Sequence, residues 1–287
     1  MKQIFLFIYL LLPFSLYAQT GSEIYLFDLR FKDNHFSLSH PVNITQHKGY
    51  DNQPFFHPSL DLVYYTSAND SGRTDIKSYD YKKGITQQVT NTTEREYSPT
   101  ITPDGQFISC IIQRDNGNQD LGKYPVNGGQ PITLINHLKV GYHTWTDEKH
   151  LLLFVLADTT NNLHYYDLDT KKSVILSSKP GRSLHKIPGK NAFSFIDKSA
   201  DQWLIKEFNA TTKTVHSIVA TKGQSEDITW TPDGYILTSD GEKPFAFKPW
   251  ADATWQEIDT THLPMLNKIT RMAVNKTGTK LAVVVSE

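Results

Sequence analysis

The chain has 287 residues, with 29 basic and 30 acidic side chains and 12% aromatic residues. A formal charge of −1 gives no electrostatic reason to expect a nucleic-acid or anionic-membrane partner. Cys110 is the single cysteine, so no intramolecular disulfide can form.

Residues 1–18 read as a secretory leader. Lys2 supplies a short positive start, IFLFIYLLLPFSL an apolar stretch, and Leu16-Tyr17-Ala18 a signal-peptidase site. The apolar run is short for a membrane span and contains Pro13. Cleavage after Ala18 is expected to leave an exported monomer, periplasmic or secreted, with no stable membrane insertion. Residues 19–287 are then expected to form one domain.

Two strand-like segments follow, SEIYLFDLRF from Ser22 and HPVNITQ from His40. After them a pattern recurs: QPFFHPSLDLVYYTS from Gln53, SPTITPDGQFISCII from Ser98 and GYHTWTDEKHLLLFV from Gly141. It continues as SLHKIPGKNAFSFID from Ser183, DITWTPDGYILTSDG from Asp227 and RMAVNKTGTKLAVVV from Arg271. Taking Pro58, Pro103, Thr146, Pro188, Pro232 and Lys276 as the turn positions, the steps are 45, 43, 42, 44 and 44 residues. A period near 44 filled with short strands predicts an all-β fold, a β-propeller with one four-stranded blade per repeat.

Local chemistry supports that reading. In the Pro-Asp-Gly turns at 103–105 and 232–234, proline presets φ and glycine accepts the positive φ that closes a hairpin. The second strands LVYYTS and FISCII are nearly continuous apolar runs, as expected of strands buried on both faces between blades. Cys110 falls inside one of them and reads as a buried, inert thiol. The sixth copy ends after its second strand, and the N-terminal segments resemble third and fourth strands. The predicted propeller therefore has six blades, closed by the N-terminal strands completing the C-terminal blade. That pairing leaves no long sheet edge at the chain ends.

The Pro-Asp-Gly repeat, together with IYLFDL and PVNITQ, resembles the TolB-like six-bladed propellers, a WD-like repeat family, over essentially all of residues 19–287. The resemblance implies turns and blade packing and carries no catalytic residue with it. TolB's additional α/β domain has no counterpart in this sequence.

Catalytic signatures are absent. Gly223-Gln224-Ser225-Glu226-Asp227 comes nearest to a nucleophile elbow and lacks its final glycine. There is no phosphate-binding glycine loop and no H-E-x-x-H. Positions five to seven residues before each turn should lie at the channel mouth, and they gather Asp51, Glu96, Glu226 and Asp227 against Lys139, Arg182 and Arg271. With Tyr97 and Tyr142, these form the candidate ligand-binding set. Three readings are open: charges that pair and fill the channel, a mixed ring that accepts a polar ligand, and carboxylates converging on a calcium ion. The function expected is a non-enzymatic binding or scaffolding propeller for a protein partner or small polar ligand, without a cofactor. The alternative is a propeller hydrolase or lyase acting on sugars or lactones through channel-mouth carboxylates.

Overall fold

The computed structural model describes residues 21–251 and 254–287. The leader expected over residues 1–18 lies outside them. The described residues contain no helix and form six four-stranded antiparallel sheets, the blades of one propeller.

Blade 1 consists of Asp51–Phe56, Leu62–Ala68, Thr74–Asp80 and Ile85–Gln88. Blades 2, 3, 4 and 5 repeat this meander, beginning at Arg95, Val140, Pro180 and Ile228. Blade 6 is the composite one. Its inner strands are Ile269–Val274 and Lys280–Ser286, and its outer strands are Ser22–Lys32 and His35–Asn43. Seven consecutive pairs, from Ser22↔Ser286 to Asp28↔Lys280, join the two ends of the chain.

The apolar core is divided among the seams between blades. Six buried clusters occur among the described residues, one at each seam. Period-two alternation of the second strands produces this division, since successive side chains point to opposite faces. In blade 3, Leu151, Leu153 and Val155 face blade 2, whereas Leu152 and Phe154 face blade 4. A strand that feeds two seams must be apolar on both faces. The continuous LLLFV run satisfies that requirement.

Polar pins cross the same seams. Trp145 donates its indole N–H to Ser109 Oγ of blade 2 at 2.8 Å, and Trp230 does the same to Ser194 Oγ of blade 4 at 2.8 Å. These equivalent tryptophans fix the register of blade 3. The backbone bonds Thr146 N–H to His150 O and Thr231 N–H to Tyr235 O show that Thr146 corresponds to Thr231. The turn position of blade 3 is therefore Asp147, one residue later than the sequence pattern indicated. The repeat steps become 45, 44, 41, 44 and 44 residues.

Cys110 is fully buried in the seam between blades 1 and 2, beside Ile108, Ile112 and Tyr124. Burial holds its thiol far above the ordinary range, so the reactive thiolate is suppressed. Native protein is expected to react with a thiol reagent far more slowly than denatured protein. Cys110→Ser should cost about 1–3 kcal/mol in chemical denaturation, because a hydroxyl without a partner replaces the thiol. Rapid labelling of folded protein would contradict this assignment.

Candidate functional site

The inner strand of each blade carries the site. In five blades its pairing with the second strand is interrupted by a register shift, for example between Asn52 and Phe55, Tyr97 and Thr100, and Ile269 and Arg271. Such bulges re-aim a side chain. Here they accompany a ring of residues five before each turn: Gln53, Ser98, Tyr142, Ser183, Asp227 and Arg271. All six line one cavity of about 780 Å³ along the propeller axis. Gln53 and Ser98 hold positive φ values of 58° and 54°, unusual for residues with a side chain and common where function constrains the backbone.

Several ring members also staple neighbouring blades. Gln53 Oε1 accepts the Ser98 N–H at 2.7 Å, Ser183 Oγ accepts the Ile228 N–H at 3.1 Å, and Asp227 Oδ2 accepts the Met272 N–H at 2.7 Å. Two ring members face each other across the channel. Arg271 of blade 6 donates from Nη2 to the Tyr142 hydroxyl of blade 3 at 3.2 Å, with its guanidinium 5.1 Å from the ring centre. Arg182 of blade 4 donates from Nη2 to the Thr270 carbonyl at 2.7 Å. A second cavity of about 540 Å³ lies toward the strand starts, lined by Lys222, Glu226, Asp240 and Thr270. Arg182, Asp227, Arg271 and Met272 line both cavities and form the partition between them.

The electrostatics of the partition are unusual. Desolvation raises the Asp227 carboxyl to about 6 against the opposing pull of Arg271 and Arg182. Burial pushes the Tyr50 hydroxyl up to about 12 although the same two arginines favour its ionised form. Burial and Arg271 together push His185 down to about 4, so its imidazole is neutral at pH 7. Among the described residues, neither Arg182 nor Arg271 lies within 4.0 Å of a carboxylate oxygen. Arg271 lines the channel and is half-buried.

The structure separates the candidate set. Tyr142, Arg182, Asp227 and Arg271 meet in the channel, and Glu226 lines the second cavity while pairing with Lys198. Asp51 and Glu96 do not reach the channel. Asp51 is buried against the His47 ring nitrogen at 2.9 Å. Glu96 is fully buried and accepts from the Tyr124 hydroxyl at 2.8 Å and the Thr92 hydroxyl at 2.6 Å. Burial raises both carboxyls, with these partners opposing. Tyr97 packs edge-on against Tyr50, ring centres 6.4 Å apart.

The reason for the misplacement is the bulge. It turns the residue two positions before the ring toward the blade, so these carboxylates became internal polar links. The carboxylates offered for a calcium ion, Asp51, Glu96 or the Glu226-Asp227 pair, are thus dispersed, the first two within the blades and the pair at the channel. Among the described residues no group of three or more His, Cys, Asp or Glu side chains is arranged to hold a metal. Sequence reasoning missed Gln53, Ser98, Ser183 and His185 as cavity-lining residues. The ring serines and glutamine carry no charge to draw attention, and His185 lies beyond the window of positions five to seven before the turn.

No family model matches this sequence, and no curated protein sequence does. Solved structures resemble the fold. A candidate TolB from Agrobacterium tumefaciens aligns over 94% of this chain and 99% of its own, with a TM-score of 0.70 and 14% identity. TolB from Acinetobacter baumannii aligns over 93% of this chain with a TM-score of 0.57 and 14% identity, and the match spans 64% of that protein. An oligogalacturonate lyase in complex with manganese aligns over 88% of this chain and 83% of its own, with a TM-score of 0.57 and 12% identity. At these identities the likeness concerns the fold alone: the chain is a six-bladed β-propeller, similar in architecture to the propellers of TolB proteins and of at least one lyase.

Proposed function

We propose that this chain is an exported binding propeller that takes a small polar ligand into its central channel and performs no chemistry on it. The observation that carries the reading is the ring: all six blades contribute at least one residue to a single cavity of about 780 Å³. A volume in this range suits a small-molecule site, with apolar walls and a few convergent polar groups. Pro54, Phe55, Pro99 and Trp145 supply such walls, and Tyr142, Arg182 and Arg271 the polar groups. The N-terminal leader pattern supports export.

Four buried polar atoms of cavity-lining residues have no protein partner: Ser98 Oγ, His143 Nδ1, Thr146 Oγ1 and Arg182 Nε. Unsatisfied buried groups are uncommon in native structures, and their grouping beside one cavity supports occupation by solvent or ligand. The test is a screen of sugars, sugar acids, amino acids and short peptides by ligand-observed NMR. Hits are expected whose affinity falls at least tenfold in Tyr142→Ala, about 1.4 kcal/mol. A screen without any Tyr142-dependent hit would overturn the reading.

One observation favours the enzymatic alternative. A carboxyl poised near 6 in a channel, as at Asp227, is suited to proton transfer near neutral pH. Asp51 and Glu96, the other carboxyls raised by burial, lie within the blades and cannot act as its pair. Turnover of sugar acids or lactones that disappears in Asp227→Asn would favour this second reading.

A further inference from the structure

We propose that Arg182 and Arg271 together form a binding site for a single carboxylate group at the partition of the channel. The proposal rests on the binding reading above and assigns the chemistry of the ligand.

The first support is unspent donor capacity. A guanidinium carries five N–H donors in a fixed planar fork that matches a carboxylate. Among the described residues each of these two makes one hydrogen bond, Arg182 to Thr270 O and Arg271 to Tyr142 Oη. The Nε of Arg182 is buried without an acceptor.

Charge balance is the second support. The partition holds two guanidinium groups and one carboxylate, Asp227, whose Oδ2 already accepts the Met272 N–H. Glu226 is engaged by Lys198. His185 and Tyr50 are neutral at pH 7. One positive charge therefore remains, which a monoanion cancels and a dianionic phosphate would overfill beside Asp227. Position supplies the third support, because both arginines face the larger cavity. A carboxylate at the partition can carry its uncharged remainder into that space.

A carboxylate of this kind belongs to a sugar acid or to a peptide C-terminus, and matched probes separate the two. Calorimetric titrations would use D-glucuronate against D-glucose, and N-acetyl-trialanine free acid against its amide, with inorganic phosphate at pH 8 as the dianion. At least one acid is expected to bind ten times more tightly than its neutral counterpart and than phosphate. Arg182→Ala and Arg271→Ala should each weaken that acid tenfold or more. Arg271→Lys should fail to restore it, since an ammonium lacks the planar fork. Lys83→Ala, at an exposed outer-strand turn, should bind as the unaltered protein does.

A pH arm remains readable if the alanine variants do not fold. Asp227 faces Arg271 and Arg182 from blades 6 and 4 and Glu226 beside it in the chain, with the Met272 N–H on its oxygen. Protonating Asp227 removes a negative charge beside the bound acid, so affinity should rise about tenfold from pH 8 to pH 5. Asp227→Asn should bind tightly at both pH values. Equal binding of acids and neutral partners, or preference for phosphate, overturns the carboxylate site. If neutral hits stay Tyr142-dependent, the binding reading stands without it. No binding of either acid at 10 mM also overturns the proposal.

Discussion

Deleting Ser22–Gln46 is expected to unfold the entire propeller, with loss of the cooperative thermal transition. The removed segment supplies both outer strands of blade 6 and seven buried apolar side chains: Ile24, Leu26, Phe27, Leu29, Phe36, Leu38 and Ile44. Phe27, Leu29, Phe36 and Leu38 pack in the seam with blade 5, whereas Ile24, Leu26 and Ile44 pack in the seam with blade 1. At roughly 1.5–3 kcal/mol for each fully buried side chain, their loss removes more than about 10 kcal/mol. A whole domain is stable by only about 5–15 kcal/mol. The deletion would also expose the edge of Lys280–Ser286, a strand whose Leu281, Ala282, Val283 and Val284 are buried. Aggregation is the expected fate of such an edge. Circular dichroism and calorimetry of the purified variant decide the matter. A sharp transition near the full-length temperature would show that the ring does not depend on its N-terminal closure.

The closure was legible in the sequence because IYLFDL and PVNITQ have the spacing and polarity of outer strands elsewhere in the chain. Blade number, strand order and the burial of Cys110 follow from the same periodicity. Less of the site could be read this way. Blade 3 has Thr-Asp-Glu-Lys where blades 2 and 5 have Thr-Pro-Asp-Gly, so aligning its turn without the Pro-Asp-Gly landmark put it one residue early. That slip extended the window back to Lys139 and left Gly141 at the ring position, which hydrogen-bond equivalence gives to Tyr142. Asp51 and Glu96 failed for another reason: strand alternation is broken by bulges that sequence does not reveal, and a carboxylate expected at the mouth turned into the blade. Arg182 lies one position off the ring and still reaches the channel, because its side chain is long enough to return to Thr270. Charge alone could not distinguish these cases; the backbone at each inner strand does.

Asp227→Asn is expected to stabilise the protein at pH 8, an uncommon outcome for a change at a buried, hydrogen-bonded residue. In the folded chain the Asp227 carboxyl titrates at about 6, raised from 3.8 by desolvation that Arg271 and Arg182 do not fully offset. A carboxyl with a raised folded pKa binds its proton more tightly in the folded state. The stability linked to that proton is present below about pH 4, declines as pH rises through 6, and is absent at pH 8. A rise of roughly two units corresponds to about 3 kcal/mol. Asparagine remains neutral at every pH and retains an oxygen to accept the Met272 N–H, so it keeps the staple between blades 5 and 6. At roughly 2–4 °C per kcal/mol for a domain of this size, Asp227→Asn should melt about 6–12 °C higher at pH 8. The two proteins should converge as pH falls toward 4. The opposite result, a loss of several kcal/mol at every pH, would make Asp227 the structural counter-charge of the two arginines. A stabilising result would identify a carboxylate kept at the expense of stability in the middle of the channel. Such a trade is expected where a residue serves ligand binding or chemistry, and is hard to explain where it serves only the fold.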